Sequence, residues 1–459
     1  MRKFIGTWDF YKLVLVIAIP IIIQTGITNF VSLLDNIMIG QVGTDQMSGV
    51  AIANQLILVF NITIFGAISG PGIFGAQFFG AGDHKGHMHT FRFKMVSCTV
   101  ITLLAIFIIV NYGTELISLF LHEGSLEGNI EKTLLYSKKY IGIILFGLFP
   151  FAITNAYGSS LRETGETIIP MISSLVAVAI NIILNFMLIF GNWGAPKLGV
   201  AGAAIATVVA RYAECLVLII WTHTHRSKYH YIEGAYNSIF VPRSLLKDMV
   251  IKGTPLLINE MMWSMGMAFL MQCYSVRGLD VVAAMNINTT ISNVFNIIFL
   301  SMGNVVSIIV GQQLGANRMD EAKETAGKLI FLSVVISIIS GGAMALCSSS
   351  FSAIYNTTDK IKELAAMFII VAGCCMPLYA FLHSTYFTIR SGGKTIITFL
   401  FDSVFVWVVS IPFAYIMTRF TPINIVLIYL MCQLLEIIKC IIGYVLVKRG
   451  VWLNNIVEI

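Results

Sequence analysis

Long apolar runs, most of twenty residues or more, alternate with short polar or charged segments along the whole chain. A helix needs about 20 residues to cross the ~30 Å hydrocarbon core of a bilayer, so each run predicts a membrane-spanning helix. Charged residues and Gly, Pro and Asn mark the breaks between runs. The twelve predicted spans are 13–39, 49–80, 93–118, 133–160, 168–191, 199–222, 253–276, 283–313, 329–350, 365–389, 395–418 and 424–447.

The composition agrees with this pattern. Of the 459 residues, 57% are hydrophobic and 11% are charged, whereas soluble domains carry about 25% charged residues. The sequence therefore excludes a water-soluble enzyme and predicts an all-α polytopic membrane protein. The net charge of +6 is attributed to topology, so no nucleic-acid partner is expected. The eight cysteines lie in or near apolar runs without metal-ligand spacing and are interpreted as packing residues.

The basic residues predict the orientation. If the N-terminus is cytoplasmic and residues near the span ends are counted with the adjoining loop, 19 of the 29 Lys and Arg residues lie on the inside, eight on the outside and two within spans. This bias favours cytoplasmic positions for both termini. The first apolar run lacks a small-residue cleavage site and is interpreted as a retained span. We expect the protein in the bacterial cytoplasmic (plasma) membrane.

The two halves of the chain resemble each other. Residues 235 positions apart are often identical, as in Val59-Phe60-Asn61 with Val294-Phe295-Asn296 and Gly80-Ala81 with Gly315-Ala316. Later in the chain the offset falls to 228. A duplicated six-span unit is therefore predicted, with two pseudo-symmetric bundles. The predicted domains are an N-terminal bundle at 1–222, a solvated cytoplasmic linker at 223–252 and a C-terminal bundle at 253–459.

Several carboxyl groups lie inside predicted spans, and three of them are singled out. Asp35 is in the first span, Glu260 in the seventh and Asp402 in the eleventh, each without a basic residue within one helical turn. A charge in the membrane interior costs several kcal/mol by most estimates, so each residue is a candidate functional site. Such a carboxyl can take up and release a proton or bind Na⁺. We favour a functional role most strongly for Asp35.

Two pairs of oppositely charged residues inside the spans differ from these single carboxyl groups. Arg211 with Glu214 in the sixth span, and Glu436 with Lys439 in the twelfth, have i,i+3 spacing. Opposite charges at this spacing lie on one face of a helix. We expect each pair to neutralise itself and to be structural.

Polar residues in the fifth and sixth spans are further candidates. Asn181 and Asn185 share one helix face, where their amide oxygens can coordinate a cation or interact with a carboxyl group. Thr207 follows a run of small residues that allows two helices to approach closely. Interhelical hydrogen bonding and simple packing remain the alternative interpretations.

Methionines are concentrated around Glu260. Met261, Trp263 and Met265 belong to this group, and they either face lipid or form a deformable wall that accepts many ligand shapes. An aromatic ring in such a wall could also contact a cation. The sequence leaves both alternatives open.

The order of these motifs resembles a known family. The chain is similar to the multidrug and toxic compound extrusion (MATE) transporters of the prokaryotic NorM-like branch over essentially its whole length. The motifs that carry the resemblance are Asp35-Asn36-Ile-Met38-Ile-Gly40, Gly80-Ala81, Asn181 with Asn185, Gly199 to Thr207, and Gly315-Ala316.

The resemblance implies two six-helix bundles, alternating access, and export of lipophilic, often cationic compounds in exchange for H⁺ or Na⁺. It also implies a cation-coupling site at Asp35, Asn181, Asn185 and Thr207, and a role for Glu260 at a substrate or second ion site.

The chain also departs from the family. Some relatives have Asp where this chain has Asn185, and Tyr379 takes the position of a carboxylate in the tenth span. Asp402 lies on the next helix, and its substitution for that carboxylate is a hypothesis.

The sequence therefore predicts a secondary antiporter that is not an enzyme, has no cofactor, and has lipophilic cations and the bilayer as its partners. A monomer is expected. The alternatives are a flippase for a lipid-linked saccharide or other amphiphile, an intramembrane enzyme and a passive channel. Arg211 and Lys439 are the only basic residues away from the ends of the spans, which disfavours a pyrophosphate-binding flippase. Neither the exported compound nor the choice between H⁺ and Na⁺ follows from the sequence.

Overall fold

A computed structural model describes residues 5–119, 130–355 and 357–458, and these residues form helices and connecting turns without a β-strand. The helices are α1 Trp8–Gly40, α2 Thr44–Ala81, α3 His84–Ser118, α4 Ile130–Ile144, α5 Leu148–Glu163, α6 Ile168–Phe190, α7 Val200–Thr224, α8 Arg243–Ser275, α9 Leu279–Gly315, α10 Met319–Leu346, α11 Ser348–Ala353, α12 Asp359–Ser391, α13 Thr395–Phe399, α14 Ile411–Phe420, α15 Ile425–Leu434 and α16 Glu436–Arg449.

Eleven stretches of helix in the described ranges are long and apolar enough to cross a membrane. They match eleven of the twelve predicted spans. The predicted seventh span lies in α8, a helix of 33 residues that is not among these eleven. Asn259, Glu260 and Ser264 interrupt its apolar stretch, which lowers its hydropathy. Several helices also begin or end beyond the predicted bounds, because a helix can continue past the apolar core into its charged flanks.

Three of the predicted spans are irregular. A 3₁₀ turn at Leu145–Gly147 separates α4 from α5, just before Pro150. The eleventh span has π-helical turns at Leu400–Val404 and Val406–Ser410 between α13 and α14. The twelfth span is interrupted at Leu435, between α15 and α16. Since π-helical turns often occur at functional sites, the turn that contains Asp402 is of particular interest.

The chain divides into two compact units. Unit 1 comprises residues 1–22, 76–83 and 250–459, and unit 2 comprises residues 23–75 and 84–249. The division of the sequence into 1–222, 223–252 and 253–459 stays a prediction.

Each unit has its own apolar core. In unit 2, Ala53, Ile64 and Ala204 are fully buried in one cluster. In unit 1, Val305 and Leu329 are fully buried in another. Large apolar side chains are also exposed, and lipid contact accounts for this in a membrane protein. On α3, for example, Leu104 and Phe107 are 55% and 60% exposed.

The expectation of a solvated linker at 223–252 is wrong in part. Arg243 already begins α8, and the preceding segment 225–242 is part of unit 2. Tyr229 and Tyr231 are each only 1% exposed and join a cluster with Phe91. The physical reason is the aromatic content of the segment, which provides apolar surface to bury despite its basic residues.

Candidate functional site

A continuous chain of polar side chains joins α1, α6 and α7 inside unit 2. The Asn185 amide donates a hydrogen bond of 2.6 Å to Oδ1 of Asp35 and another of 3.1 Å to Oδ1 of Asn181. The Asn181 amide donates in turn to Oγ1 of Thr207 at 3.5 Å. The four residues predicted for the cation-coupling site therefore lie together.

Local sequence explains this arrangement. Asn181 and Asn185 are one helical turn apart on α6, so both face the same side and are 5% and 1% exposed. Gly202 lies against the backbone of Leu188, where a Cβ atom would collide with the carbonyl group. This close contact brings α7 beside α6, and α7 then presents Thr207 to Asn181.

One hydrogen-bond acceptor among these four side chains has no partner in the part of the protein that the structure describes. Oδ1 of Asn185 is buried and accepts no hydrogen bond from the residues that the structure describes. It belongs to the same side chain that donates to Asp35. A carboxylate and an amide oxygen are ligands suited to a hard cation such as Na⁺. The carboxylate alone is sufficient to accept a proton, so the residues fit either ion.

The second candidate region lies in unit 1. Asp402 accepts a hydrogen bond of 3.1 Å from Asn259, and its other oxygen lies 3.9 Å from Nζ of Lys439. Lys439 also pairs with Glu436 at 2.6 Å. Asp402 therefore has a basic partner from a different helix, although it has none along its own helix. Spacing along one helix could not show this contact.

Glu260 is near this region but outside its hydrogen-bond network. It lies within electrostatic range of Arg390 and Asp402. The neighbouring Asn259 provides the direct contacts, because its amide donates to the hydroxyl of Tyr386 at 3.3 Å as well as to Asp402. Sequence analysis did not single out Asn259, although it precedes Glu260 in a stretch that is otherwise apolar.

Met261, Trp263 and Met265 are partly exposed side chains. They are 42%, 44% and 54% exposed, respectively. Side chains with this exposure can contact lipid or a ligand, so both interpretations stay open. Tyr379, which the family resemblance places at the position of a carboxylate in relatives, donates to Oε1 of Gln433.

The two charge pairs have different outcomes. Glu436 and Lys439 do pair, as predicted. Arg211 and Glu214 form no ion pair within 4.0 Å in the described ranges, so that prediction is wrong. Arg211 contacts the carbonyl of Gly147 at 3.4 Å, and Glu214 accepts from the Ser174 hydroxyl at 2.5 Å. The i,i+3 spacing brings two Cβ atoms close, but each side chain has a better partner on another helix.

A buried ion pair that the sequence does not predict joins the first part of α3 to the end of α5. Lys94 pairs with Glu163, and His87 lies 3.3 Å from the same carboxylate. Their side chains are between 0% and 7% exposed. Hydropathy alone assigns such residues to polar connections and cannot reveal their burial.

These features define a class of protein: a polytopic α-helical membrane protein with polar groups inside its helical units. A family model described as MatE matches residues 20–187 and 255–416. Since this is more than half of the chain, the chain belongs to the MatE family, a family of transporters and not of enzymes.

Curated relatives and a solved structure agree with this assignment. The chain is 23% identical to the "Probable multidrug resistance protein NorM" of Thermotoga maritima, over 89% of this chain and 86% of that protein. It is 24% identical to the "Probable multidrug resistance protein YoeA" of Bacillus subtilis, over 89% and 87%. It also resembles the structure named "Outward-facing conformation of a multidrug resistance MATE family transporter of the MOP superfamily", with a TM-score of 0.85, 18% identity and 98% coverage of both chains. The predicted fold and the NorM-like resemblance are confirmed.

Proposed function

We propose that the protein is a secondary antiporter that exports lipophilic, often cationic drugs in exchange for inward H⁺ or Na⁺. The relatives named as multidrug resistance proteins support the drug substrates. The hydrogen-bonded chain from Asp35 to Thr207 supports the coupling site and carries the proposal. The protein works as a monomer in the bacterial cytoplasmic membrane, with both termini in the cytoplasm.

Asp35 is the residue at which the ion acts. Its carboxylate is held by the amide of Asn185, which also bonds Asn181, so a change at Asp35 alters contacts between α1 and α6. A proton or Na⁺ that enters from outside neutralises the carboxylate and changes the relative stability of the outward-open and inward-open forms. A membrane potential of 100 mV supplies ~2.3 kcal/mol for each charge that moves inward.

The region in unit 1 serves the substrate or a second ion. Glu260 is the proposed substrate or ion contact, and Met261, Trp263 and Met265 form an adaptable apolar surface beside it. Asp402 is a second candidate, and Lys439 already lies within 3.9 Å of it.

Transport of a fluorescent lipophilic cation tests the proposal. Purified protein is reconstituted into vesicles, and ethidium uptake is followed with a pH gradient or a Na⁺ gradient imposed separately. We expect one of the two gradients to drive uptake against a concentration difference. Failure of both gradients with folded, inserted protein would contradict the proposal and favour a flippase.

A matched pair of substitutions on α1 tests the role of Asp35. Asp35→Asn removes the charge within the hydrogen-bonded chain and should abolish driven uptake. Asp9→Asn makes the same chemical change at an exposed position near the start of α1 and should leave uptake intact. Retained uptake with Asp35→Asn would show that coupling lies elsewhere.

A further inference from the structure

The connecting segment, defined as residues 225–249, exposes large apolar side chains. Ile239 and Phe240 are 77% and 64% exposed, although Ile and Phe are among the residues that proteins most often bury. The segment directly follows α7, which is long and apolar enough to cross a membrane and ends at Thr224. It therefore begins where a membrane span ends, and exposed apolar side chains at such a boundary can enter the lipid interface.

The backbone around Phe240 makes its hydrogen bonds inside the protein. The N–H of Phe240 donates to Oγ of Ser238 at 3.0 Å, and its carbonyl accepts from Arg92 at 3.1 Å. Arg92 also donates to the carbonyls of Gly234 and Ala235. A backbone group without a partner is costly in an apolar medium. Because these groups have partners, the side chain of Phe240 can contact lipid without that cost.

The start of α8 adds a second exposed surface of similar character. Leu245 and Met249 are one helical turn apart and only 6% and 0% exposed, so their face of the helix packs against protein. Leu246 is 41% exposed, and Arg243 and Lys247 are exposed as well. Basic residues beside exposed apolar residues on a helix are typical of segments that lie at a membrane surface.

The connecting segment has more basic than acidic residues. Four basic residues, Arg226, Lys228, Arg243 and Lys247, stand against two acidic residues, Glu233 and Asp248. Lys228 pairs with Glu166 at 2.7 Å, and Glu233 lies 3.6 Å from Nδ1 of His230. These pairs involve only one of the four basic residues, so a positive charge remains on the surface.

The remaining basic residues lack partners. In the part of the chain that the structure describes, Arg226, Arg243 and Lys247 form no ion pair. Arg243 and Lys247 are four residues apart on α8, and like charges at this spacing destabilise a helix. A bound anion would relieve their repulsion. The chemistry of the surface, basic groups beside exposed apolar side chains, matches a lipid with an anionic headgroup and apolar chains.

We propose that the connecting segment is a membrane-surface anchor that binds anionic phospholipids. Ile239 and Phe240 enter the lipid interface, Arg243 and Lys247 bind the lipid phosphate groups, and Arg226 adds to the positive charge. Each Lys or Arg near an anionic bilayer strengthens attraction to it about fivefold. The leaflet that the segment contacts rests on the orientation proposed above, whereas the binding itself does not.

Hydrogen exchange with mass spectrometry tests the proposal on the full-length protein in lipid nanodiscs. One nanodisc contains phosphatidylcholine alone. In the other, part of this lipid is replaced by phosphatidylglycerol, which has the same acyl chains and a net negative charge. We expect backbone amides of residues 236–249 to exchange at least about fivefold more slowly with phosphatidylglycerol, because binding stabilises the closed segment. Equal exchange in the two nanodiscs would overturn the proposal.

Charge variants then assign the effect to α8. Arg243→Gln combined with Lys247→Gln should remove most of the difference between the nanodiscs. Arg318→Gln combined with Lys323→Gln also removes two exposed charges, at the start of α10, and should keep the difference. A difference that survives in the folded Arg243 and Lys247 variant contradicts the assignment.

Inorganic phosphate separates a lipid from a free anion. Added to the phosphatidylcholine nanodisc, it should leave exchange in the connecting segment unchanged, since it provides no apolar chains for Ile239 and Phe240 to contact. Slower exchange with inorganic phosphate, equal to that with phosphatidylglycerol, would show a free-anion site and overturn the lipid proposal.

A tryptophan probe tests whether the apolar side chains enter the bilayer. The fluorescence that Phe240→Trp adds to that of the wild type should be quenched by lipids brominated on their acyl chains. Glu233→Trp, at an exposed polar position of the same segment, should be quenched much less. Equal quenching at the two positions, or none at Phe240→Trp, would contradict insertion. This readout leaves Arg243 and Lys247 unchanged, so it holds even if their double variant does not fold.

Neither measurement uses an ion gradient or a drug, so the anchor and the proposed export are tested separately. If phosphatidylglycerol has no effect on the segment but a gradient still drives dye uptake, the anchor fails and the export function stands. If the segment binds phosphatidylglycerol but no gradient drives uptake, the anchor stands and the export function fails.

Discussion

Gly80 lies directly against the backbone carbonyl of Gln312, where a Cβ atom has no room. The reverse contact also exists, because Gly315 lies against the carbonyl of Gln77 in the same way. The sequence repeat of 235 residues relates Gly80 to Gly315 and Gln77 to Gln312. Equivalent positions of the repeat thus form a reciprocal contact inside unit 1.

Gly80→Ala should therefore destabilise the protein. The added methyl group forces the ends of α2 and α9 apart, and overpacking of this kind costs about 1–3 kcal/mol. Gly342→Ala is the matched control, since a Cβ atom at that helical position meets no atom within 4 Å. Thermal unfolding in detergent should show a lower midpoint for Gly80→Ala only, and equal midpoints would contradict the contact.

This contact shows which features of the fold the sequence can predict and which it cannot. The repeat identifies Gly80 and Gly315 as equivalent positions. Equivalence does not show that each glycine packs against a glutamine carbonyl on the other helix. Similarly, helical spacing predicts that Asn181 and Asn185 share a face. The grouping of these residues with Asp35 follows only from the family resemblance. The spacing of residues along one helix cannot predict contacts between different helices. For this reason the sequence does not predict the contact between Asp402 and Lys439.

Asn185 should control the ion dependence of transport. Asn185→Ala removes both the donor to Asp35 and the unpartnered oxygen beside it. We expect about tenfold more coupling ion to be needed for half-maximal dye uptake, as for the loss of one strong polar contact. Asn111→Ala, at an exposed position on α3, should keep the wild-type ion dependence. An unchanged ion dependence with Asn185→Ala would exclude Asn185 from the coupling site.

Lys439 should be needed to neutralise two carboxylates in unit 1. It is 7% exposed and lies 2.6 Å from Glu436 and 3.9 Å from Asp402. Lys439→Gln leaves the buried carboxylate of Glu436 and the partly exposed carboxylate of Asp402 without their cation, which should destabilise the fold by up to about 3–5 kcal/mol. Adding Asp402→Asn should restore part of this stability, as measured by a double-mutant cycle of unfolding free energies. Additive effects of the two substitutions would show that Lys439 and Asp402 do not interact.

Asp402→Asn alone tests whether Asp402 takes part in transport. Suppose that Asp402 replaces the carboxylate that relatives have at the position of Tyr379. The rate of driven dye uptake by the variant should then be at least about tenfold lower, which is the effect of losing one strong polar contact. Arg318→Gln, in an ion pair whose two side chains are 65% and 60% exposed, is the control and should transport normally. Unchanged transport by Asp402→Asn, with the protein folded, limits Asp402 to a structural role.

Glu166, outside the membrane spans, should make stability depend on pH. Burial alone raises the pKa of Glu166, but hydrogen bonds from Lys228 at 2.7 Å and Tyr229 at 3.0 Å outweigh it and lower the pKa. A carboxylate of this kind stabilises the fold above its unfolded pKa, about 4.3. This contribution is lost as the pH falls through the lower folded value. Glu166→Gln should thus cost about 1 kcal/mol or less at neutral pH, with a difference from wild type that disappears in acid. A difference in unfolding midpoint that does not shrink as the pH is lowered through the range in which carboxylates protonate would contradict this account.

Arg92 should hold the segment 225–242 on unit 2. Its guanidinium donates to the carbonyls of Gly234 at 2.7 Å, Ala235 at 2.8 Å and Phe240 at 3.1 Å. Arg92→Gln removes most of these charge-assisted bonds, so the segment should open more often and exchange its amide hydrogens about 10 to 100 times faster.

Hydrogen exchange with mass spectrometry measures this effect directly. Lys85→Gln removes an exposed charge from the same helix and should leave exchange in the segment unchanged. If Arg92→Gln also leaves it unchanged, the buried aromatic residues Tyr229 and Tyr231 are sufficient to hold the segment. Faster exchange confined to the segment, with α3 still protected, would show that Arg92 fixes the connection rather than the fold of unit 2.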